Sequence, residues 1–257
     1  MIYLNLLVVS LGLVVGSFLN ALIYRIHSGE SIAAGRSKCP HCQHSLTIKD
    51  LVPVLSFVWL RGHCRYCRQA IAWQYPVVEA VTALLFWLAF SVNLQLYPTN
   101  WELVAHCFRD FLVLSALVVV FVYDLKWMLI PDSVVLPVVV VTVIINLLLG
   151  QSLLQLLLSL AIGFGFFAIQ YYFSGGTWIG GGDLRLGLLM GAVLAWPNLL
   201  VAIFLAYIVG ATVSVGLLLT KKVNRKTEVP FGVFLAPATV VALLWGSQLL
   251  NWYLSLL

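Results

Sequence analysis

Asp183 follows three consecutive glycines in the stretch GTWIGGGDLRLG (176–187), and Asp124 closes a long apolar run in VVVFVYDLKWMLIPD (118–132). Two carboxylates sharing a wet pocket repel each other, so near neutral pH one is ionised while the other keeps its proton. Such a pair hydrolyses an amide without a covalent intermediate: the carboxylate takes a proton from water while the acid polarises the peptide carbonyl. Four cysteines offer a second chemistry. Cys39 and Cys42 form one CxxC, Cys64 and Cys67 another, with 21 residues between the motifs. Four thiolates so paired suit the tetrahedral preference of zinc, with His41, His44 and His63 as nearby substitutes. Two disulfides are the competing reading, which a reducing cytoplasmic face disfavours. Cys107, alone near a span end, reads as a small buried residue.

The elements that must position these residues follow from composition. The chain is 62% hydrophobic, with only 14 Lys and Arg and 9 Asp and Glu in 257 residues. A soluble protein of this size needs more charged surface, so an integral membrane protein is indicated. A helical span takes roughly 20 mostly apolar residues. About eight candidates emerge, near 2–24, 76–97, 107–124, 131–149, 153–174, 184–196, 198–220 and 231–254. Period-two alternation is missing, which argues against a barrel, and the first span lacks the leader and cleavage site of a removed signal peptide. The expected fold is an all-α polytopic bundle of about eight transmembrane helices with a small zinc-binding cytoplasmic domain. Its divisions are a first helix over 1–24, the tetracysteine domain over 25–75 and a multi-helix catalytic part over 76–257.

With eight alternating spans, one side of the membrane receives 13 of the 14 cations, and only Arg109 falls on the other. The rich side holds the segments around 25–75, 124–130, 175–185 and 221–230, the last with Lys221, Lys222, Arg225 and Lys226. The positive-inside rule makes that side cytoplasmic and both termini external. Topology and anionic lipid therefore account for the net charge of +5, and no nucleic-acid partner is called for. The loop over 25–75 is too short to bury much core, so the metal's expected job is structural.

Most of the acids read blandly. Asp132 opens a helix after Pro131 and serves its first turn; Glu30, Asp50, Glu102, Asp110 and Glu228 read as solvated, and Glu79 is ambiguous. Asp124 and Asp183, 59 positions apart, fall on the same side and at the same depth. Their bland alternatives are ion pairs with Lys126 and Arg185. The run 184–196 makes a helix of only about 20 Å against a core of about 30 Å. The glycine stretch is expected to supply the missing depth as irregular backbone, which is tolerated only where protein buries it or water reaches it. Gly180, Gly181 and Gly182 would let a substrate peptide approach the main chain with no Cβ in the way.

These motifs in this order resemble the type IV prepilin peptidases, bacterial inner-membrane aspartic proteases with a GxGD motif. GSFLNALIYR (16–25) resembles the family's opening signature; the paired CxxC loop with LVPVLSFVWLRGHCRYCR and YPVVE resembles its zinc-bearing cytoplasmic domain. DLKWMLIPD (124–132) and GGGDLRLG (180–187) are similar to the segments carrying the two catalytic aspartates, and PFGVFLAPA (230–238) to the motif opening the last span. His27 and Val233 stand where the family often has proline, and Arg185 where it often has lysine. The resemblance implies cleavage of the basic leader of prepilins or pseudopilins on the cytoplasmic face, by Asp124 and Asp183. It also implies methylation of the new N-terminal amine with S-adenosylmethionine, a cofactor for which the sequence shows no dinucleotide-type glycine loop. A transporter regulated by its zinc-binding loop, and an assembly scaffold whose tetracysteine loop is the active part, are the alternatives. The first commonly needs ionisable groups at mid-membrane. The second predicts that the aspartates are dispensable.

Overall fold

The computed structural model describes residues 1–32, 35–97, 100–220 and 229–256. The basic segment expected around 221–230 lies mostly outside them, including Lys221, Lys222, Arg225, Lys226 and Glu228. The described residues are helical apart from turns and two isolated bridges, and they fall into two compact units, Met1–Pro98 and Thr99–Leu257.

In the first unit α1 (Ile2–Ser28) packs along α3 (Gln74–Leu96). Lipid chains are as apolar as leucine, so close backbone approach and polar cross-links must hold such a pair. Both are present. A Cβ on Gly12 would lie 2.5 Å from the Ala83 Cα, and one on Gly16 would lie 2.6 Å from the Glu79 Cα. These glycines are four residues apart, so one face of α1 is cut away to admit α3. One turn on, the Asn20 side-chain amide donates to the Tyr75 carbonyl (3.0 Å), and its carbonyl accepts from Gln74 (3.2 Å). Between the two helices the chain forms the cysteine-bearing module, with a short helix α2 (Leu55–Trp59). Glu79, ambiguous in the sequence, is buried and accepts the Val54 N–H at 2.7 Å, tying that module to α3.

The second unit comprises α4 (Asn100–Trp127), α5 (Asp132–Leu148), α6 (Leu153–Ser174), α7 (Gly181–Leu194), α8 (Asn198–Leu219) and α9 (Gly232–Leu254). The eight apolar helices thus fall where hydropathy placed them, but they are not equivalent. Among the described residues, six are long and apolar enough to cross a membrane: α1, α3, α4, α6, α8 and α9. α5 has 17 residues and α7 only 14. α7 is short because it is interior: ten of its residues are buried, among α5, α6, α8 and α9. A helix apolar on every face is what such a position requires. The α6 contact is backbone on backbone. A Cβ on Gly163 would run into the Gly187 carbonyl, one on Gly187 into that of Gly163, and one on Gly191 into that of Ser159.

The far end of this unit corrects one reading. Asp110, expected to be solvated, is 3% exposed and pairs with buried Arg109 at 2.8 Å. Arg109 also donates to Asn146 on α5 (2.9 Å), whose amide donates to the Ala192 carbonyl near the end of α7 (2.7 Å). Packing of α4, α5 and α7 therefore makes an acid expected at the surface part of a buried network. An unpaired charge there would carry a large desolvation cost.

Because the α6–α7 seam leaves no room, Gly163→Leu should destabilise the folded protein by about 1–3 kcal/mol, as overpacking does. Gly165→Leu, where a Cβ meets nothing within 4 Å, should be tolerated. Thermal unfolding in detergent separates the two.

Candidate functional site

Asp124 lies in the last turn of α4 and Asp183 in the first turn of α7, each 5% exposed. The two occupy the same end of the second unit, with Arg109 and Asp110 at the other. Lys126 and Arg185 share the aspartate end. Neither forms the ion pair that would have explained an aspartate away. Arg185 pairs with Asp132 in the first turn of α5 (2.8 Å), and Lys126 lies over the Trp127 ring, 5.5 Å from its centroid. Asp132 thus serves its helix start and a cross-helix pair together.

Each aspartate instead meets the amide end of a helix. The Asp183 Oδ2 accepts the Gly180 N–H (3.0 Å) at the start of its own helix. The Asp124 Oδ2 accepts the Val233 N–H (3.1 Å) at the start of α9. Free amides and the helix dipole at such ends favour negative charge. One oxygen of Asp183 is therefore fixed while its other takes no hydrogen bond among the described residues.

Ile130 joins the two halves. Its side chain sits against Gly182, where a Cβ would fall 2.9 Å away, and against Gly232, where a Cβ would fall 3.4 Å away. The same Cβ on Gly232 would lie 2.8 Å from the Asp124 Oδ2. Asp183 is within electrostatic reach of Asp124. The glycine run differs in detail from its expected form. The helix begins at Gly181, so irregular backbone ends at Gly180. The space at Gly182 is filled by Ile130, and Gly181 is the position with nothing within 4 Å. Ile130 went unnoticed, being one more apolar residue in an apolar stretch.

Tyr207 on α8 also went unnoticed. Its hydroxyl donates to the Gln170 side chain on α6 at 2.6 Å, its ring packs 5.0 Å from Phe231, and it lies within electrostatic reach of Asp183. Two hydrogen-bonding side chains facing each other inside apolar spans were the available signal.

The cysteines converge in the first unit. The Sγ atoms of Cys39, Cys42, Cys64 and Cys67 all lie within 4.8 Å of one another, and those of Cys39 and Cys67 are 3.9 Å apart. Thiolates at the corners of a tetrahedron around zinc, with bonds of about 2.3 Å, stand about 3.8 Å apart, whereas a disulfide needs about 2.05 Å. The geometry fits a metal ion. The two CxxC turns repeat each other: Gln43 N–H donates to the Cys39 carbonyl and Arg68 N–H to that of Cys64, with positive φ at Gln43 and Arg68. Burial raises the Cys39 thiol, but the N–H groups of Cys42 and His41 and the neighbouring thiols outweigh it and leave it at about 7, ready to bind as thiolate. None of the three histidines joins the cluster: His44 stacks on Tyr66 and His63 bonds the Arg61 carbonyl. Cys107 is buried in α4 of the second unit.

Asp50, expected to be solvated, is drawn in by this fold. It accepts from Arg65 (2.7 Å), Thr47 (2.7 Å) and Tyr66 (3.1 Å). Burial raises its carboxyl, yet these donors prevail and hold it at about 2.

Among the described residues, the groove of the first unit does not fit S-adenosylmethionine. It encloses about 250 Å³ and is lined by Ser17, Phe18, Arg25, Ser37 and Leu51 among others. It presents no carboxylate for a ribose, and Arg25 is already engaged by the Ile32 and Gly35 carbonyls (2.9 and 2.8 Å).

Comparison with known proteins assigns both units. Residues 10–92 match the bacterial peptidase A24 N-terminal domain, and residues 111–215 match the type IV leader peptidase family. Proteins named prepilin leader peptidase/N-methyltransferase are similar over nearly the whole chain. The one from Aeromonas hydrophila is 32% identical over 278 residues, covering 97% of this chain and 93% of its own. That from Bacillus subtilis is 33% identical over 251 residues, covering 95% and 96%. That from Pseudomonas aeruginosa is 30% identical over 273 residues, covering 95% and 91%. No solved structure matches.

Metal analysis of protein purified under reducing conditions should find about one ion per chain. Cys39→Ser with Cys42→Ser should remove it; a metal-free wild type would refute the site.

Proposed function

The chain belongs to the type IV leader peptidase family, and on that premise we propose that Asp124 and Asp183 together hydrolyse the bond that joins a prepilin or pseudopilin to its leader. The observation that supports this reading is the shared arrangement of the two acids. Both are buried at one end of the helical unit, each is held through one oxygen by an amide of a helix start, and each is within electrostatic reach of the other.

The chemistry follows from the arrangement. Two such carboxyls hold one proton between them. The ionised member takes a proton from a water molecule, whose oxygen attacks the scissile carbonyl carbon. The protonated member gives its proton to the carbonyl oxygen, and the tetrahedral intermediate forms without charge building up on that oxygen. Collapse breaks the C–N bond. The proton taken from water passes to the leaving amine, and the other returns from the intermediate hydroxyl to the pair, so one water is consumed. The amides that hold Asp183 and Asp124 keep the carboxyls from turning away, so that both stay aimed at one bond. In this reading the peptide lies along Gly180 and Gly181, where the main chain is uncovered, with Ile130 beside Gly182 as the wall of the notch.

The protein is a multi-pass inner-membrane enzyme. The same positive-inside asymmetry supports a cytoplasmic position for the aspartate end and the metal module, where the basic leader remains, and a periplasmic one for both termini. In the cytoplasmic module the four cysteines hold zinc, a structural ion with no open position for substrate. Residues 25–75 form that module and the helices from 76 onward the catalytic part. The relatives' second named activity, N-methylation of the new terminus, extends to this chain with the family and draws on S-adenosylmethionine. Purified protein with a synthetic prepilin tests cleavage directly, since leader release needs no gradient.

Asp124→Asn and Asp183→Asn should each lower the cleavage rate by about 10³-fold or more, on the scale of lost acid–base catalysis. The double variant should be little worse than either single, because the pair acts as a unit; additive losses would contradict it. Gly232→Ala, whose methyl crowds the Asp124 carboxyl, should slow cleavage while the protein still inserts. Wild-type rates in that variant would show the Asp124 position to be unimportant.

A further inference from the structure

The depth of the metal module in the bilayer can be worked out from the helices that flank it. Gly16 of α1 and Glu79 of α3 stand at one level, since a Cβ on the glycine would lie 2.6 Å from the Glu79 Cα. From that level α1 runs 14 residues to Ile2 and α3 runs 17 residues to Leu96. At 1.5 Å per residue these are about 21 and 26 Å. A hydrocarbon core of about 30 Å that starts at the far ends therefore extends some 4–9 Å past Glu79. Glu79 in turn accepts the Val54 N–H at 2.7 Å, so the residue just before α2 is held at or inside the apolar boundary. Leu51 and Pro53 agree, lining a groove with Val14, Ser17 and Phe18 of α1.

What α2 exposes there is apolar. Leu55 is 66% exposed, Val58 65% and Trp59 88%, while Phe57 turns inward onto Trp73, 5.0 Å away, and onto Gly62. Exposed Arg61 and Arg68 follow the helix. An apolar face with a terminal tryptophan, followed by arginines, is the composition that settles at a bilayer surface, the rings and aliphatic chains among acyl chains and the cations among headgroups. We propose that α2 is an interfacial anchor: Leu55, Val58 and Trp59 are inserted into the lipid leaflet on the module's side, and the Glu79–Val54 hydrogen bond fixes the depth at which they enter. A second copy of the chain or an apolar substrate helix would have to compete with lipid for this face. The inference requires α1 and α3 to span the membrane; it does not depend on which residues cleave.

The test uses the full-length protein in lipid nanodiscs. The emission of Trp59 is obtained as wild type minus Trp59→Phe. Lipids brominated near the glycerol end of their chains should quench that component by about half or more, while aqueous iodide leaves it unchanged, as for a ring at the acyl boundary. Val58→Trp in the Trp59→Phe background should behave alike and guards against a peculiarity of one position. Quenching by iodide and not by bromolipid would overturn the proposal in favour of a water-exposed module. Quenching by neither would overturn it in favour of a protein partner on that face.

Discussion

A carboxylate inside a membrane protein must be met by donors or neutralised, because desolvation at that depth is otherwise prohibitive. Here the donors are main-chain amides at helix starts. Asp183 turns back onto Gly180 at the head of α7, and Asp124 reaches the Val233 amide at the head of α9. A lysine or arginine partner would satisfy the same acids more fully, and it would also take them out of chemistry. Amides leave each carboxyl free to gain or lose its proton. The nearby cations are occupied elsewhere, Arg185 with Asp132 and Lys126 over Trp127.

This solution requires the start of α7 to lie deep, and the rest of the second unit follows from that need. A 14-residue helix cannot cross a bilayer on its own, so α7 is enclosed by longer helices. It is seated on α6 through Gly163, Gly187 and Gly191, and held at its far end by Asn146 and the Arg109–Asp110 pair. The ionic pair at that far end is tolerable because its two members neutralise each other and Arg109 also donates to Asn146. The first unit applies a related principle with different parts. Gly12 and Gly16 bring α1 and α3 together, and four cysteines order a loop too short for a core of its own.

Much of this was legible in the sequence, for identifiable reasons. Apolar runs of span length, paired CxxC motifs and two acids at the ends of apolar runs are local signals, and local signals survive without coordinates. The same reading erred or fell silent where tertiary packing decides. Asp110 sits in a polar stretch and looked solvated, but α5 and α7 close over it. Asp50 looked the same until the second CxxC turn brought Arg65 and Tyr66 onto it. The glycines before Asp183 signalled close approach correctly, yet at Gly182 the approaching group is Ile130 of the same chain. Ile130 and Tyr207 carry no motif at all. Their importance is one of position, between or beside two acids that the sequence separates by 59 residues.

Whether the two acids divide a single proton and act in opposite protonation states is read from the pH dependence of kcat/KM for wild-type protein cleaving a synthetic prepilin in detergent. The expected profile is a bell: the rate falls at low pH when both carboxyls are protonated and at high pH when both are ionised, with two apparent constants that belong to the pair. A profile that rises through one ionisation and then stays level over the range in which the protein is folded would contradict it, since a lone carboxylate base would then suffice.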